Sequence, residues 1–157
     1  MDIQELAKKV QKLEDLEAIK QLKYEYALCC DRGINESDPM PLLDVFTEDA
    51  VWDIGGFGRY EGKDAIKAVV SGQLAEMIKF TYHFFTQPII KIDGDEATGK
   101  WYLWAVYTMA DGQDMVLAGY EDEKYRRVDG KWLISECVLG ADAFAPLKEG
   151  WGAQLES

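Results

Sequence analysis

Ile92-Asp93-Gly94-Asp95-Glu96-Ala97-Thr98-Gly99-Lys100-Trp101-Tyr102-Leu103-Trp104-Ala105-Val106-Tyr107-Thr108-Met109-Ala110-Asp111-Gly112 sets a long aromatic and aliphatic run between two Asp-Gly pairs. Asp-Gly readily supplies the positive φ angles of a tight hairpin turn, so a run bounded by two such pairs reads as a strand. With a third pair at Asp129-Gly130, the runs 80–92, 96–109, 114–127 and 131–139 predict four strands in an antiparallel meander. Successive side chains alternate between faces, which puts Trp101, Leu103, Ala105 and Tyr107 on one side and Tyr102, Trp104 and Val106 on the other. Both sides are apolar, as in a strand covered twice. Helices provide one cover and a second subunit the other, so a homo-oligomer, dimer or trimer, is expected.

Upstream, Ile3, Leu6, Val10, Leu13, Leu16, Ile19, Leu22 and Tyr26 recur at gaps of three and four, the spacing of one face of a long amphipathic helix that Gly33 and Asn35-Glu36-Ser37 should end. Asp38-Pro39 is suited to open a short second helix reaching Phe46, and 62–78 carries a third apolar face. Ala50 to Ile54 and Gly58-Arg59-Tyr60 read as short strands around a bend at Gly55-Gly56. About three helices ahead of a meander predict one α+β domain spanning 1–157.

Seventeen basic and 29 acidic residues give a net charge of −12, which disfavours nucleic acid and anionic membranes as partners. No run of about 18 apolar residues is present to span a bilayer. The N-terminal stretch lacks the basic and apolar parts of a signal peptide, and Cys29, Cys30 and Cys137 have no metal-ligand spacing, so a cytoplasmic location is expected. Phosphate loops, dinucleotide fingerprints and Gly-x-Ser-x-Gly are missing, and a lone histidine without clustered cysteines argues against a transition metal. The chemistry expected is therefore free of cofactors.

That histidine, His83, lies in Thr81-Tyr82-His83-Phe84-Phe85, where a merely apolar strand has no use for an imidazole. Imidazole is the side chain that ordinarily changes charge near neutral pH, and it works best as a base when a carboxylate accepts its second N–H. Asp31 is the candidate carboxylate, at the end of the first helix where the helix dipole disfavours a negative charge. Tyr24 is seven residues from Asp31 and shares its helical face, whereas Tyr26 lies about 140° away on an ideal helix, so helix geometry alone favours Tyr24 as an assisting hydroxyl.

Several segments, in this order, resemble the SnoaL-like branch of the nuclear transport factor 2-like superfamily. They are Leu16-Glu17-Ala18-Ile19-Lys20-Gln21-Leu22 with Tyr26 and Asp31, Phe46-Thr47-Glu48-Asp49-Ala50-Val51-Trp52, Tyr60-Glu61-Gly62-Lys63-Asp64-Ala65-Ile66, His83 before Pro88, and Tyr125-Arg126-Arg127-Val128-Asp129-Gly130-Lys131-Trp132. The resemblance implies a cone, a strongly curved antiparallel sheet wrapped by helices around a hydrophobic cavity. It also implies a lyase like the bile acid dehydratases, scytalone dehydratase or hexachlorocyclohexane dehydrochlorinase, generally trimeric, with His83 and Asp31 as the proton-removing pair. By position it favours Tyr26 over Tyr24. Ala105 stands where the bile acid enzymes carry an acid, and Leu139-Gly140 offers no arginine.

The resulting expectation is dehydratase-like elimination, or a related isomerisation, on an apolar cyclic small molecule such as a steroid, terpenoid or polyketide. A non-catalytic binding or assembly module on the same fold is the alternative. Trp52, Phe57, Trp101, Leu103, Tyr107, Arg127 and Phe144 are the expected substrate-binding residues. Epoxide hydrolysis or cyclisation would need a second acidic or polar group in the cavity, and the sequence places none.

Overall fold

The computed structural model describes residues 2–35 and 40–148. Helix α1 runs Ile3–Asn35, one-turn α2 covers Met40–Leu43, and strands β1 (Phe46–Asp53) and β2 (Arg59–Glu61) flank a 3₁₀ turn at Gly55–Phe57. A helical segment follows, α3 (Lys63–Val69), a π turn (Val70–Leu74) and α4 (Ala75–Met77), and then β3 (Ile78–Asp93), β4 (Glu96–Met109), β5 (Asp114–Val128) and β6 (Lys131–Pro146).

The hairpin chemistry reads directly onto the turns. Val128 pairs with Lys131, leaving Asp129 and Gly130 at φ 49° and 80°, the two positive angles of a type I′ turn. Asp93 pairs with Glu96 around Gly94, at φ 61°, while the Asp111-Gly112 loop is longer because Thr108 pairs with Asp114.

The strongly curved antiparallel cone wrapped by about three N-terminal helices is not what forms. Strand order is β2-β1-β6-β5-β4-β3, with β2 and β3 as separate edges, so the sheet is open. It is also mixed: β1 runs parallel to β6, because the chain leaves β1 through β2 and the internal helix and comes back only at the far end of the meander. Two helical segments flank the sheet, α1 at the N-terminus and the internal 63–77 segment, with α2 a single turn. The proposed helix opening at Asp38-Pro39 lies outside the described residues. Its expected end at Phe46 is instead the start of β1, where Phe46 is fully buried and pairs with Ile134.

β6 continues seven residues beyond its expected end at Leu139. Between Ala118 and Gly119 the β5–β6 register slips, and a Cβ on Gly119 would lie 2.1 Å from the Gly140 carbonyl oxygen. Two glycines thus permit a bulge at which the strands pass closely and pairing then resumes as far as Pro146.

The core lies between the inner face of the sheet and the helices. Ile19, Leu22, Tyr26 and Cys30 of α1 meet Phe46, Trp52, Leu103, Ala105, Leu117, Ile134 and Cys137. On the outer face, Phe80, Tyr82 and Phe84 of β3 and Tyr102 and Trp104 of β4 stay exposed, stacked edge-on or tilted along β3. No described helix is long and apolar enough to cross a membrane.

Candidate active site

α1 delivers Asp31 to β3. Its Oδ1 accepts the backbone N–H of His83 at 3.0 Å and faces ring Nδ1 at 2.7 Å, with both side chains largely buried. One carboxylate oxygen therefore holds both the strand and the ring, which explains why an acid is tolerated at a helix C-terminus. With Nδ1–H directed at Asp31, Nε2 carries the lone pair, and the Tyr107 hydroxyl lies 3.2 Å from it, placed to donate. Burial, followed by the nearby charge of Glu121, pushes the Tyr107 phenol well above its ordinary range and keeps it a neutral donor. The Tyr107 ring meets the imidazole edge-on, and Phe85 stacks parallel to it.

The space beside this pair is lined by Tyr26, Cys30, Trp52, Ile54, Phe57, Leu74, Ile78, His83, Leu103, Tyr107, Glu121 and Leu139. Its free volume is about 40 Å³, little more than one water, so the side chains nearly fill it. A cyclic molecule enters only if the wall moves. Phe57 on the 3₁₀ turn and Leu74 in the π turn belong to its least regular segments. A larger open groove of about 520 Å³ is lined by Asp49, Lys91, Asp93, Lys124 and Arg126 among others, but it contains neither His83 nor Asp31.

Of the expected residues, His83, Tyr26, Trp52, Phe57, Leu103 and Tyr107 line the cavity, and Asp31 stands directly behind the imidazole. Tyr26 is buried and Tyr24 is about half exposed, so the inward tyrosine is Tyr26. Phe144 supports the wall from behind, packing edge-on against Phe57 and Tyr107. Trp101 is buried but donates its indole N–H to Tyr125, 2.9 Å away, and is not among the lining residues. Arg127 is elsewhere. It bonds Asp15 at 2.8 Å and Asp95 at 2.9 Å and stacks on Trp132, an ion-pair role that separates it from the cavity.

What the sequence reading missed is a buried ionic network along one wall. Lys23, fully buried, bonds Glu121 and, at 2.5 Å, Glu123. Its ammonium also sits 3.6 Å from the Phe85 ring centroid and 4.2 Å from that of Tyr26. Tyr26 donates to Glu121 at 3.3 Å and accepts the Trp52 indole N–H at 3.0 Å, while Tyr125 donates to Glu123. Burial alone would lower the Lys23 pKa, but the two carboxylates outweigh it and hold the ammonium charged. Burial pushes Glu123 up despite that ammonium. Both features were visible in the residues: Lys23 lies on the apolar face of α1 between Ile19, Leu22 and Tyr26, and Glu121 and Glu123 share the parity of Leu117 and Tyr125. Glu121 is thus the second acid that the sequence reading could not place in the cavity.

A family model described as the SnoaL-like domain matches residues 11–138. Hexachlorocyclohexane dehydrochlorinase 1 of Sphingobium indicum is 25% identical over 117 residues, covering 73% of this chain and 76% of its own. A crystal structure of a type 2 hexachlorocyclohexane dehydrochlorinase superposes with a TM-score of 0.81 at 23% identity, covering 88% and 93% of the two chains. An NTF2-like protein with a cystatin-like fold from Novosphingobium aromaticivorans gives 0.66 at 23% identity, with 98% and 94% covered.

Removing one partner of a buried charge network leaves the others unpaired, whereas neutralising all of them together does not. Lys23→Met should therefore destabilise the fold by about 3 kcal/mol or more, read from urea unfolding midpoints, and the triple variant Lys23→Met/Glu121→Gln/Glu123→Gln should recover most of that loss.

Proposed function

This chain belongs to the SnoaL-like domain family, and on that premise we propose that it is a cofactor-independent lyase, or a related isomerase, acting on an apolar cyclic small molecule. The observation that carries this reading is the imidazole of His83, oriented through Nδ1 by Asp31 and presenting Nε2 to a cavity walled by Trp52, Phe57 and Leu103. Nε2 takes the proton from a carbon made acidic by a neighbouring carbonyl or leaving group. Asp31 stabilises the imidazolium so formed. Tyr107 gives up its hydrogen bond to Nε2 as substrate enters, and Tyr26, on the opposing wall, serves the substrate oxygen. The names of the dehydrochlorinase relatives support elimination as the reaction class.

The test pairs γ-hexachlorocyclohexane, followed by chloride release, with cyclic β-hydroxy ketones, followed by enone absorbance. Turnover of at least one is expected, with His83→Ala and Asp31→Asn each lowering the rate by about 100-fold or more. Turnover that survives His83→Ala would overturn the assignment. Saturable binding without turnover of either compound class would favour the binding module.

The outer aromatic face of β3 and β4, with Phe80, Tyr82, Phe84, Tyr102 and Trp104 exposed together, is the surface on which copies of the chain associate. Thiols at Cys29, Cys30 and Cys137 suit a reducing, cytoplasmic location. Sedimentation at micromolar concentration should give a dimer or trimer mass that falls to the monomer in Tyr82→Lys/Phe84→Glu, and a monomeric wild type would contradict this.

A further inference from the structure

The second wall of the cavity contains more proton-bearing groups than packing requires. One ammonium, Lys23, faces two carboxylates, Glu121 and Glu123, and the carboxylates in turn meet the phenols of Tyr26 and Tyr125. All five side chains are buried, between α1 and the inner face of β5. Two ionised carboxylates with one ammonium would leave an uncompensated negative charge out of water, so the cluster is balanced when it also holds one proton.

The geometry of Tyr26 gives that proton a use. The oxygen of Tyr26 already accepts the Trp52 indole N–H, a group that can only donate, and Cys137 Sγ lies 3.8 Å away. The phenol has one proton to give. While Glu121 is ionised that proton is directed at Glu121 Oε1, and Tyr26 offers nothing to the cavity. When Glu121 is protonated the bond reverses: the carboxyl O–H donates to the phenol oxygen, and the Tyr26 proton is free to turn toward the cavity.

Taking the cavity as the proton-transfer site proposed above, we infer that Lys23, Glu121 and Glu123 form a buried proton store that switches Tyr26 into a proton donor for the substrate oxygen. Tyr26 is the group that touches substrate; the three charged residues are positioning residues that act through it. As the substrate oxygen takes up the electron pair of the bond it loses, it receives the Tyr26 proton, and Glu121 reprotonates the phenol oxygen. Lys23 supplies that proton beforehand: it passes one proton to Glu121 and takes the stored one from Glu123, so the ammonium is unchanged and both carboxylates end ionised. The proton removed from carbon remains on His83 Nε2. Proton gain and loss thus occur on separate walls, and one imidazole need not perform both. Burial favours the protonated form of Glu123, in keeping with a stored proton.

Infrared spectroscopy reads this store without a substrate, because a buried carboxylic acid has a C=O stretch above the amide I band. At pH 7 the wild type should show one such band, and labelling with ¹³C-glutamate should shift it to lower frequency. Glu121→Gln and Glu123→Gln should each abolish it, since Lys23 and one remaining carboxylate are already neutral as a pair. Tyr125→Phe should move it to higher frequency by removing the hydrogen bond that the stored acid, Glu123, accepts, whereas Tyr26→Phe, which removes only a donor to the ionised Glu121, should leave it in place. His83→Ala should leave it in place, so a failed assignment of His83 and a failed proton store give different results. Absence of the band at pH 7, a band insensitive to ¹³C-glutamate, persistence in both glutamine variants, or no movement in Tyr125→Phe would each overturn the inference. The labelled wild type still decides if a glutamine variant does not fold.

Discussion

One oxygen of Asp31 accepts two hydrogen bonds from the same residue, the backbone N–H and the ring of His83, and this ties the end of α1 to the edge strand β3. An edge strand has one free side and an imidazole has two freely rotating torsions. Anchoring both at a single carboxylate fixes which nitrogen faces the cavity. The Asp31 contact thus joins the packing of α1 to the proposed chemistry: the helix that buries Ile19, Leu22 and Tyr26 in the core also carries the group that orients the proposed base.

Elsewhere in the lining the arrangement differs. His83 is held by one exposed-edge strand and one carboxylate, whereas Glu121 lies inside the sheet on β5, held by a fully buried lysine. Between the two walls are aromatic and aliphatic side chains and little free space. Such surroundings strengthen charge interactions by excluding water, and the proposed substrate would have to displace part of the lining. Ile54, Phe57 and Leu74, in the link after β1 and on the 3₁₀ and π turns, are members of that lining outside the regular strands and α-helices.

Much of this was legible in the residues, and the failures have specific causes. Asp-Gly pairs gave the meander because turn stereochemistry is local. The parallel pairing of β1 with β6 joins residues 46–53 to 134–138, and no local pattern announces so distant a partner. β6 outruns its expected end because its continuation depends on two glycines on different strands, Gly119 and Gly140, meeting at a bulge. Helix geometry favoured Tyr24 by asking which tyrosine shares a face with Asp31. Tyr26 and Asp31 instead serve different walls, Tyr26 bonding Glu121 and Asp31 bonding His83. Arg127 has its carboxylate partners in Asp15 and Asp95, distant in sequence from one another and from Arg127 itself. Lys23 is hard to place from spacing alone, because a lysine beside the apolar stripe of Ile19, Leu22 and Tyr26 ordinarily extends to solvent, and its carboxylate partners lie about 100 residues away on β5.

The central claim is that Asp31 fixes His83 with its proton on Nδ1 and its lone pair on Nε2. Two-bond ¹H–¹⁵N correlation of the single, ¹⁵N-labelled imidazole reads this directly at a pH where the ring is neutral. A protonated Nδ1 and an unprotonated Nε2 are expected in the wild type, with that preference lost in Asp31→Asn. A neutral ring protonated on Nε2 in the wild type would contradict it.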